Sequence, residues 1–155
     1  MNSAEKLVAL LKATGKTCAT AESCTGGGIG AAITSVAGSS EVFEGGVISY
    51  SNEVKKNILG VKENDLCLYG AVSAEVAKQM AFGVRKLVNA DIAVSVTGIA
   101  GPGGGTPDKP VGTVWFAIAD STGVRAEKKL FIGDRESIRL QTIEHALGML
   151  TIAVL

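Results

Sequence analysis

The feature that most constrains the fold of this sequence is a run of residues, Ile92 to Thr97, that is apolar at nearly every position. A strand with one face in water alternates apolar and polar residues, whereas a strand covered on both faces is apolar throughout. The run therefore predicts a central strand with helices on both sides of the sheet. The chain has 155 residues, a length typical of one domain, and is expected to form a single-domain three-layer α/β/α sandwich over residues 1–155.

Apolar spacing and capping residues assign the other elements. Helices are predicted over 3–13 with Ser3 as the cap, from the glycines at 26–30 to Gly38, from Ser51 or Asn52 to Gly60, over 74–89 and from Asp134 onward. Strands are predicted over 16–21, through 47–50, over 112–119 and over 124–131, with a hairpin turn at 120–123. Strands that feed helices, together with one antiparallel hairpin, predict a mixed, mostly parallel sheet.

The charge pattern excludes several classes of partner. Fifteen Lys and Arg residues balance fifteen Asp and Glu residues, and no block of sequence concentrates either sign. The chain therefore lacks the electrostatic footprint of a protein that binds nucleic acid or a membrane surface. Its apolar runs are far shorter than the roughly 18 residues of a membrane span, and the N-terminus does not resemble a secretion signal, so a cytoplasmic location is expected. The apolar end at 147–155 is a candidate surface for assembly into a homo-oligomer.

Cysteine and histidine usage argues against a metal site or a disulfide framework. Cys18, Cys24 and Cys67 have no close pair spacing, and His145 is the only imidazole. Zinc sites and disulfide-rich folds need several such residues at short spacings. The cysteines are interpreted as reduced thiols, and no metal or cofactor is expected.

Glycine is the unusual part of the composition, because 20 of the 155 residues are glycine and they occur in clusters. Clustered glycine favours sites built from backbone groups. Three predicted strand ends are rich in polar residues or glycine, at 22–27, 50–55 and 97–105. Because open α/β sheets bind ligands beyond the carboxyl ends of their strands, these segments are the candidate site.

The first of these segments contains a candidate nucleophile. Ser23 stands just before a helix that opens at Gly26, and the N–H groups of residues 25–27 are predicted to stabilise an oxyanion or a phosphate. A helix cap is the alternative role for Ser23. Cys24 is a second candidate, although a buried inert thiol is the favoured interpretation because no imidazole is well placed to activate it.

A serine hydroxyl needs a base that removes its proton. His145 lies among apolar residues of the last predicted helix, which favours a structural histidine over a catalytic triad. Lys55 remains, and a lysine acts as a base only when it is neutral, which requires burial. A solvated lysine beside Lys56 is the alternative interpretation.

Known phosphate-binding motifs match poorly. The P-loop pattern is absent, and Gly26-x-Gly28-x-x-Ala31 has the spacing of a dinucleotide fingerprint but no clear acidic residue at a strand end about 20 positions later, because Glu41 and Glu44 precede the next predicted strand. The glycine loop at 98–105 is a candidate for close approach to a ligand or for an anion nest. A mobile surface connection is the alternative for this loop.

Four separated motifs resemble the CinA C-terminal domain family, in order and over nearly the whole chain. They are Ala-Glu-Ser-Cys-Thr-Gly-Gly at 21–27, Ser-Tyr-Ser-Asn-Glu-Val-Lys at 49–55, Gly-Ala-Val-Ser at 70–73, and Val-Thr-Gly-Ile-Ala-Gly-Pro-Gly at 96–103 with Lys-Pro-Val-Gly-Thr-Val-Trp at 109–115. The resemblance implies a stand-alone nicotinamide mononucleotide deamidase. Such an enzyme hydrolyses the carboxamide of nicotinamide mononucleotide to nicotinic acid mononucleotide and ammonia, without a metal.

The resemblance also implies roles for individual residues. The serine and the lysine of the family fall on Ser23 and Lys55. The residues implied in the substrate pocket are Thr25, Gly26, Gly27, Tyr50, Asn52, Thr97, Gly98 and Gly101. Arg135, Arg139 and the loop at 98–105 are the candidates for holding the substrate phosphate. Two non-catalytic alternatives stay open: a sensor that binds pyridine nucleotides, and an interaction module of a competence or damage response.

Overall fold

Five strands and six helices form the fold, and the computed structural model describes all 155 residues. The strands are β1 (Cys18–Glu22), β2 (Phe43–Ile48), β3 (Ile92–Gly98), β4 (Thr113–Asp120) and β5 (Gly123–Leu130). The helices are α1 (Ser3–Thr14), α2 (Gly28–Thr34), α3 (Asn52–Leu59), α4 (Glu63–Tyr69), α5 (Ala74–Val88) and α6 (Arg135–Val154). A short 3-10 helix, Ser39–Glu41, follows α2.

The strands form one sheet in the order β2-β1-β3-β4-β5. β1 pairs in parallel with β2 and with β3, and β4 pairs antiparallel with β3 and with β5. Four strands therefore run in one direction and β4 runs against them, which confirms the mixed, mostly parallel sheet and its hairpin. β3 lies in the middle of the sheet, as its apolar sequence predicts.

Helices cover both faces of the sheet, which confirms the three-layer sandwich. α1, α2 and α6 pack on one face, where Ile29 and Leu150 belong to the same core cluster as Val94 of β3. α5 packs on the other face with α3 and α4 beside it, and Met80 of α5 shares a second cluster with Ala93. Neighbouring residues of β3 therefore face opposite cores, as the two-residue period of a strand requires.

Polar side chains cap the helices that lead to the site. Ser51 caps α3 and Asp134 caps α6 by accepting hydrogen bonds from backbone N–H groups of the first turn. The predicted cap of α1 is wrong, because Asn2 is the capping residue there. Ser3 instead donates a hydrogen bond to Glu144 of α6, so it ties the first helix to the last.

The predicted bounds agree with the structure to within two residues, except at β2, α2 and α4. β2 begins at Phe43, four residues earlier than predicted. The first part of the strand was not predicted because two glycines interrupt its apolar pattern. A Cβ on Gly46 would lie 2.3 Å from Oγ1 of Thr20, so glycine allows β2 to approach β1. α2 ends at Thr34 rather than near Gly38. α4 has no predicted counterpart, because it is seven residues long and none of its residues is buried.

The apolar C-terminal segment is mostly core. Leu147, Leu150 and Val154 are buried in the cluster that α6 shares with α1, while Ile152 and Leu155 are exposed. The interpretation of 147–155 as one self-association surface is therefore wrong for the buried side chains, and a homo-oligomer stays a prediction. α6 is 20 residues long, and neither it nor any other helix has the combined length and apolarity of a membrane span.

Candidate active site

A cavity of about 290 Å³ opens where β1, β2 and β3 end. The carboxyl ends of these parallel neighbours meet at one edge of the sheet, which is where open α/β folds bind ligands. The three segments predicted from the sequence meet here, together with the loop before α5 and the first residue of α6. The predicted site residues found in its lining are Ser23, Tyr50, Asn52, Lys55, Thr97, Gly98, Gly101 and Arg135.

Ser23 and Lys55 are in contact in this cavity. Nζ of Lys55 lies 3.0 Å from Oγ of Ser23. The parallel register of β1 and β2 places Glu22 beside Ile48, so the residues that follow the two strands become neighbours. The N–H and the hydroxyl of Ser49 both donate to the carbonyl of Glu22, at 2.7 and 3.2 Å, and they fix the segment that leads into α3.

The amine of Lys55 is buried, which excludes the solvated lysine of the alternative interpretation. The residue is 1% exposed, and burial lowers its pKa from 10.5 to about 8. Nζ donates to the carbonyl of Ser49 at 2.6 Å and to that of Tyr50 at 3.3 Å. A neutral amine has two N–H groups and one lone pair, so donation to both carbonyls leaves the lone pair for the hydroxyl of Ser23. With this pKa, roughly a tenth of the amine is neutral at pH 7.

The buried amine predicts a measurable pH dependence of stability. The folded pKa of Lys55 is about 8 and its ordinary value is 10.5, so between these pH values the unfolded chain binds one more proton than the folded chain. Stability from this group therefore rises with pH across the window, by up to about 1.4 kcal/mol per pH unit. We expect the wild type to gain about 3 kcal/mol over Lys55→Met between about pH 7.5 and about pH 10.5, measured by urea unfolding.

Lys56→Met is the matched control for that measurement. Lys56 is the next residue and pairs with Glu53 and Glu63 at the surface. Its removal is expected to leave the pH dependence unchanged, because exposed ion pairs contribute little. Parallel pH profiles for the wild type and Lys55→Met would contradict a depressed pKa at Lys55.

The turn after Ser23 encloses a carboxyl group of the protein itself. Oε1 of Glu22 accepts from Oγ1 of Thr25 at 2.6 Å and from the Ile29 N–H at 2.9 Å. Oε2 of Glu22 accepts from the Gly30 N–H, also at 2.9 Å. The N–H groups of Ile29 and Gly30 at the start of α2 are therefore occupied by a side chain of the protein, and the predicted role of the N–H groups of residues 25–27 stays a prediction.

Thr25, Gly26 and Gly27 do not line the cavity, in contrast to their predicted place in the substrate pocket. Thr25 is fully buried, and Glu22 takes its hydroxyl. Gly26 and Gly27 have φ angles of 59° and 101°, so they supply the left-handed turn into α2 rather than a contact. The Gly26 N–H donates to the carbonyl of Ser23, whereas the N–H groups of Thr25 and Gly27 have no acceptor within the protein.

The two arginines considered for phosphate binding have different surroundings. Arg135 lines the cavity, where its Nη1 donates to the carbonyl of Gly101 at 2.8 Å and its Nη2 lies 3.4 Å from Oη of Tyr50. Arg139 is outside the lining, and its guanidinium donates to two backbone carbonyls of the turn after Ser23. Arg135 therefore stays the candidate for a phosphate, and Arg139 does not.

The other candidate nucleophile and base are poorly placed for chemistry. Cys24 is buried, and burial raises the pKa of its thiol to about 11, so the thiol is protonated at neutral pH. Nε2 of His145 lies 2.7 Å from Oε1 of Glu127, and its ring packs against Phe116 at 4.6 Å between centroids. Cys24 is therefore buried as predicted, although it lines the cavity beside Ser23, and His145 lies outside the cavity; that the thiol is inert and the histidine structural stay predictions.

The lining includes a loop that the sequence interpretation missed. Ala71 and Val72, just before α5, line the cavity, and the hydroxyl of Thr97 donates to the carbonyl of Ala71 at 2.9 Å. Ser73 caps α5, and a capped helix start next to the central strand is the signal that points to this loop. The remaining lining residues are Cys24, Ile99, Ala100, Gly103 and Gly104.

A larger groove of about 840 Å³ lies elsewhere, between α3 and α5. Lysines 62, 78 and 86 surround an apolar floor that includes Ile58 and Phe82. The groove contains no serine, cysteine, histidine or acidic side chain. Nucleophile and base chemistry therefore points to the smaller cavity.

The fold and the cavity define the class of protein: a three-layer α/β protein with a serine and a buried lysine in contact at the carboxyl ends of its parallel strands. The chain belongs to the CinA C-terminal domain family, whose model matches residues 1–154. The resemblance found in the four sequence motifs is thereby confirmed.

Individual relatives are similar over nearly the whole chain. The nicotinamide-nucleotide amidohydrolase PncC of Escherichia coli strain K12 is 49% identical, over 97% of this chain and 92% of that protein. A CinA-like protein of Citrifermentans bemidjiense is 52% identical over 94% of this chain, and this chain spans 35% of its length, as it does for other curated relatives. The crystal structure of the competence/damage inducible protein CihA from Agrobacterium tumefaciens has a TM-score of 0.93 at 42% identity, and the match covers 99% of this chain and 96% of that one.

Proposed function

We propose that this chain is a nicotinamide-nucleotide amidohydrolase that converts nicotinamide mononucleotide to nicotinic acid mononucleotide and ammonia, with Ser23 as nucleophile and neutral Lys55 as base. The observation that carries the proposal is the 3.0 Å contact between Nζ of Lys55 and Oγ of Ser23 inside a ligand-sized cavity. Relatives that this chain matches over 92% and 85% of their length, among them PncC of Escherichia coli, are named nicotinamide-nucleotide amidohydrolase, which supports the substrate. The proposed steps use only residues of this chain and water.

In the first step the lone pair of Lys55 removes the hydroxyl proton of Ser23 while Oγ attacks the carboxamide carbon. The bond from Oγ to carbon forms, and the electron pair of the carbonyl moves onto its oxygen. Preorganised donors stabilise such an oxyanion strongly, and the backbone N–H groups of the turn at 24–27, which follows Ser23 directly, are the candidate donors. The bonds from Nζ to the carbonyls of Ser49 and Tyr50 keep the amine aimed at Oγ throughout.

In the second step the protonated Lys55 returns its proton to the departing nitrogen. The carbon–nitrogen bond breaks, ammonia leaves, and a nicotinyl ester remains on Ser23. Water then attacks the ester with Lys55 again as base, which releases the acid and restores the hydroxyl. One lysine with a pKa of about 8 suits both directions of proton transfer, because general acid–base catalysis is most effective when the pKa is near the working pH.

The charges of the substrate fit those of the cavity. Its pyridinium ring is positive, and a positive charge nearby further disfavours the protonated form of Lys55. Tyr50 and Asn52 line the same cavity, and the face of a tyrosine ring attracts a cation. The phosphate needs donors, which Arg135 and the glycine loop at 98–105 supply at the opening.

The decisive experiment is an ammonia-release assay with nicotinamide mononucleotide across pH. Because the base must be neutral in the free enzyme, kcat/KM is expected to rise about tenfold per pH unit below the Lys55 pKa of about 8 and to level off above it. A profile that is flat or falling between about pH 6 and about pH 9 would exclude a lysine base. Binding of the nucleotide with no ammonia over hours would favour a sensor instead.

A further inference from the structure

The segment that carries Ser23 has little stiffness of its own. Three consecutive glycines, 26–28, follow it, and the first two have positive φ angles. Glycine restricts the backbone least of all residues. The N–H of Ser23 donates to the carbonyl of Val96 of β3 at 3.2 Å, which fixes the start of the turn but not its far side. Other contacts must hold the rest of the turn.

Glu22 holds the turn from inside the protein. Its side chain is almost completely buried, at 2% exposure of the residue. The three groups that donate to its carboxyl oxygens belong to Thr25, Ile29 and Gly30, all of which follow Ser23 in the chain. Glu22 precedes Ser23 in the chain, so these hydrogen bonds connect the residue before Ser23 with residues that follow it. A buried carboxyl group is costly unless its oxygens are satisfied, so the turn is tied to this arrangement.

Arg139 of α6 holds the same turn through its carbonyl groups. Its Nε donates to the carbonyl of Cys24 and its Nη2 to that of Thr25, each at 3.1 Å. The planar guanidinium presents its N–H donors in a rigid fork, so it holds the two carbonyls in a fixed relative geometry. Because a trans peptide points its N–H away from its carbonyl, the bond to the Cys24 carbonyl also sets the direction of the Thr25 N–H within the turn.

We propose that Glu22 and Arg139 are positioning residues that clamp the turn at 23–25 and thereby hold Oγ of Ser23 against Nζ of Lys55. The inference rests on the proposed function and adds residues that touch neither the cavity nor the reacting atoms. A displacement of about 1 Å in a reacting group is enough to cost about 100-fold in rate. Loss of the clamp is therefore expected to lower kcat while substrate binding, made by other residues, stays nearly constant.

Arg139→Met tests the outer half of the clamp, because it keeps the length of the side chain and removes both donors. We expect kcat to fall 10- to 100-fold with KM within about threefold of the wild type, and Arg139→Lys, which keeps the charge and N–H donors but loses the planar fork, to be intermediate. The matched control is Arg85→Met, since Nε of Arg85 also donates to a backbone carbonyl, that of Asp91, at 3.0 Å. The control is expected to lose stability without losing kcat.

Thr25→Val tests the inner half, because it removes the donor to Glu22 at nearly constant shape. The same loss of kcat is expected, and Thr25→Ser, which restores the hydroxyl, is expected to recover it. Thr142→Val is the control, since that buried threonine donates to the carbonyl of Ile138 at 2.7 Å within α6. A kcat within twofold of the wild type in both Arg139→Met and Thr25→Val would overturn the clamp. A rise in the KM of Arg139→Met at constant kcat would also overturn it, because Arg139 would then be a substrate contact.

A second readout separates this inference from the proposed function. A fluorophosphonate probe phosphonylates an activated serine and releases fluoride, and mass spectrometry of the labelled peptide reports the rate at Ser23 without any amide substrate. If the wild type is labelled but releases no ammonia, the proposed substrate is wrong, and the clamp is judged by whether Arg139→Met slows labelling at least fivefold. If the wild type gives neither label nor ammonia, both the nucleophile and the clamp are wrong.

Discussion

Replacement of Ser23 with alanine is expected to lower ammonia release from nicotinamide mononucleotide by at least about 1000-fold, which corresponds to roughly 4 kcal/mol of activation free energy. Without the hydroxyl there is no covalent intermediate, and the lone pair of Lys55 has no proton to take. The residue is small and 8% exposed, and the hydroxyl makes a single hydrogen bond, to Lys55. The thermal midpoint is therefore expected to stay within a few degrees of the wild type.

Cys24→Ala is the control for that experiment, because it changes the next residue of the same turn. The Cys24 thiol has a pKa raised to about 11 by burial, so its removal is expected to leave kcat within about threefold. More than about a tenth of wild-type activity in Ser23→Ala would reject the serine as nucleophile. Loss in Cys24→Ala with retention in Ser23→Ala would transfer the role to the thiol.

Sequence pattern predicted the framework of the fold because the strongest signals belong to its most buried elements. Ile92 to Thr97 is apolar at nearly every position because β3 lies between two helical layers. The helix at 74–88 is regular because one of its faces is buried against the sheet. α4 was not predicted because none of its residues is buried, so its sequence shows no periodic pattern of apolar residues.

The position of the site was also predictable, whereas the hydrogen bonds within it were not. Ser23 and Lys55 are 32 residues apart, and they meet because parallel strands end at the same edge of the sheet. The residues offered Ser23 and Lys55 only as candidates, with a helix cap and a solvated lysine as alternatives, and the resemblance to the family selected them. The bond from Thr25 to Glu22 has no such signature, because side-chain rotamers within a turn decide it. The family resemblance implied a place for Thr25 in the pocket, whereas its hydroxyl donates to Glu22 inside the protein.

The proposed base, Lys55, and the proposed nucleophile, Ser23, are connected through one residue, Glu22. The backbone carbonyl of Glu22 receives both donors of Ser49, whose own carbonyl accepts from Lys55 at 2.6 Å. The carboxyl group of the same residue organises the turn after Ser23. Glu22 thus joins the turn that follows Ser23 to the segment that leads to Lys55. A small shift of β1 would therefore move both segments.

Lys55→Arg is expected to lose activity as completely as Lys55→Met, by at least about 1000-fold, in the same ammonia assay. Arginine keeps the positive charge and the hydrogen-bond donors but cannot be deprotonated in a protein. If Lys55 acted only as a fixed cation that stabilises the oxyanion, the arginine variant would retain substantial activity. Lys56→Arg is the matched control, since its side chain lies at the surface beside Glu53, and it is expected to remain within twofold of the wild type.

The methionine and arginine variants together separate charge, donation and basicity at one position. Methionine removes all three properties, whereas arginine removes only basicity. The neutral-lysine mechanism predicts equal loss of activity in both variants, because it depends on basicity. The buried site makes Lys55 basic enough to act near neutral pH by lowering its pKa to about 8, so that part of the amine is neutral. Fluorophosphonate labelling of Ser23 should slow in both variants for the same reason, while each still binds the nucleotide by calorimetry. Retention of more than about a tenth of the activity in Lys55→Arg would show that a proton acceptor other than Lys55 serves Ser23.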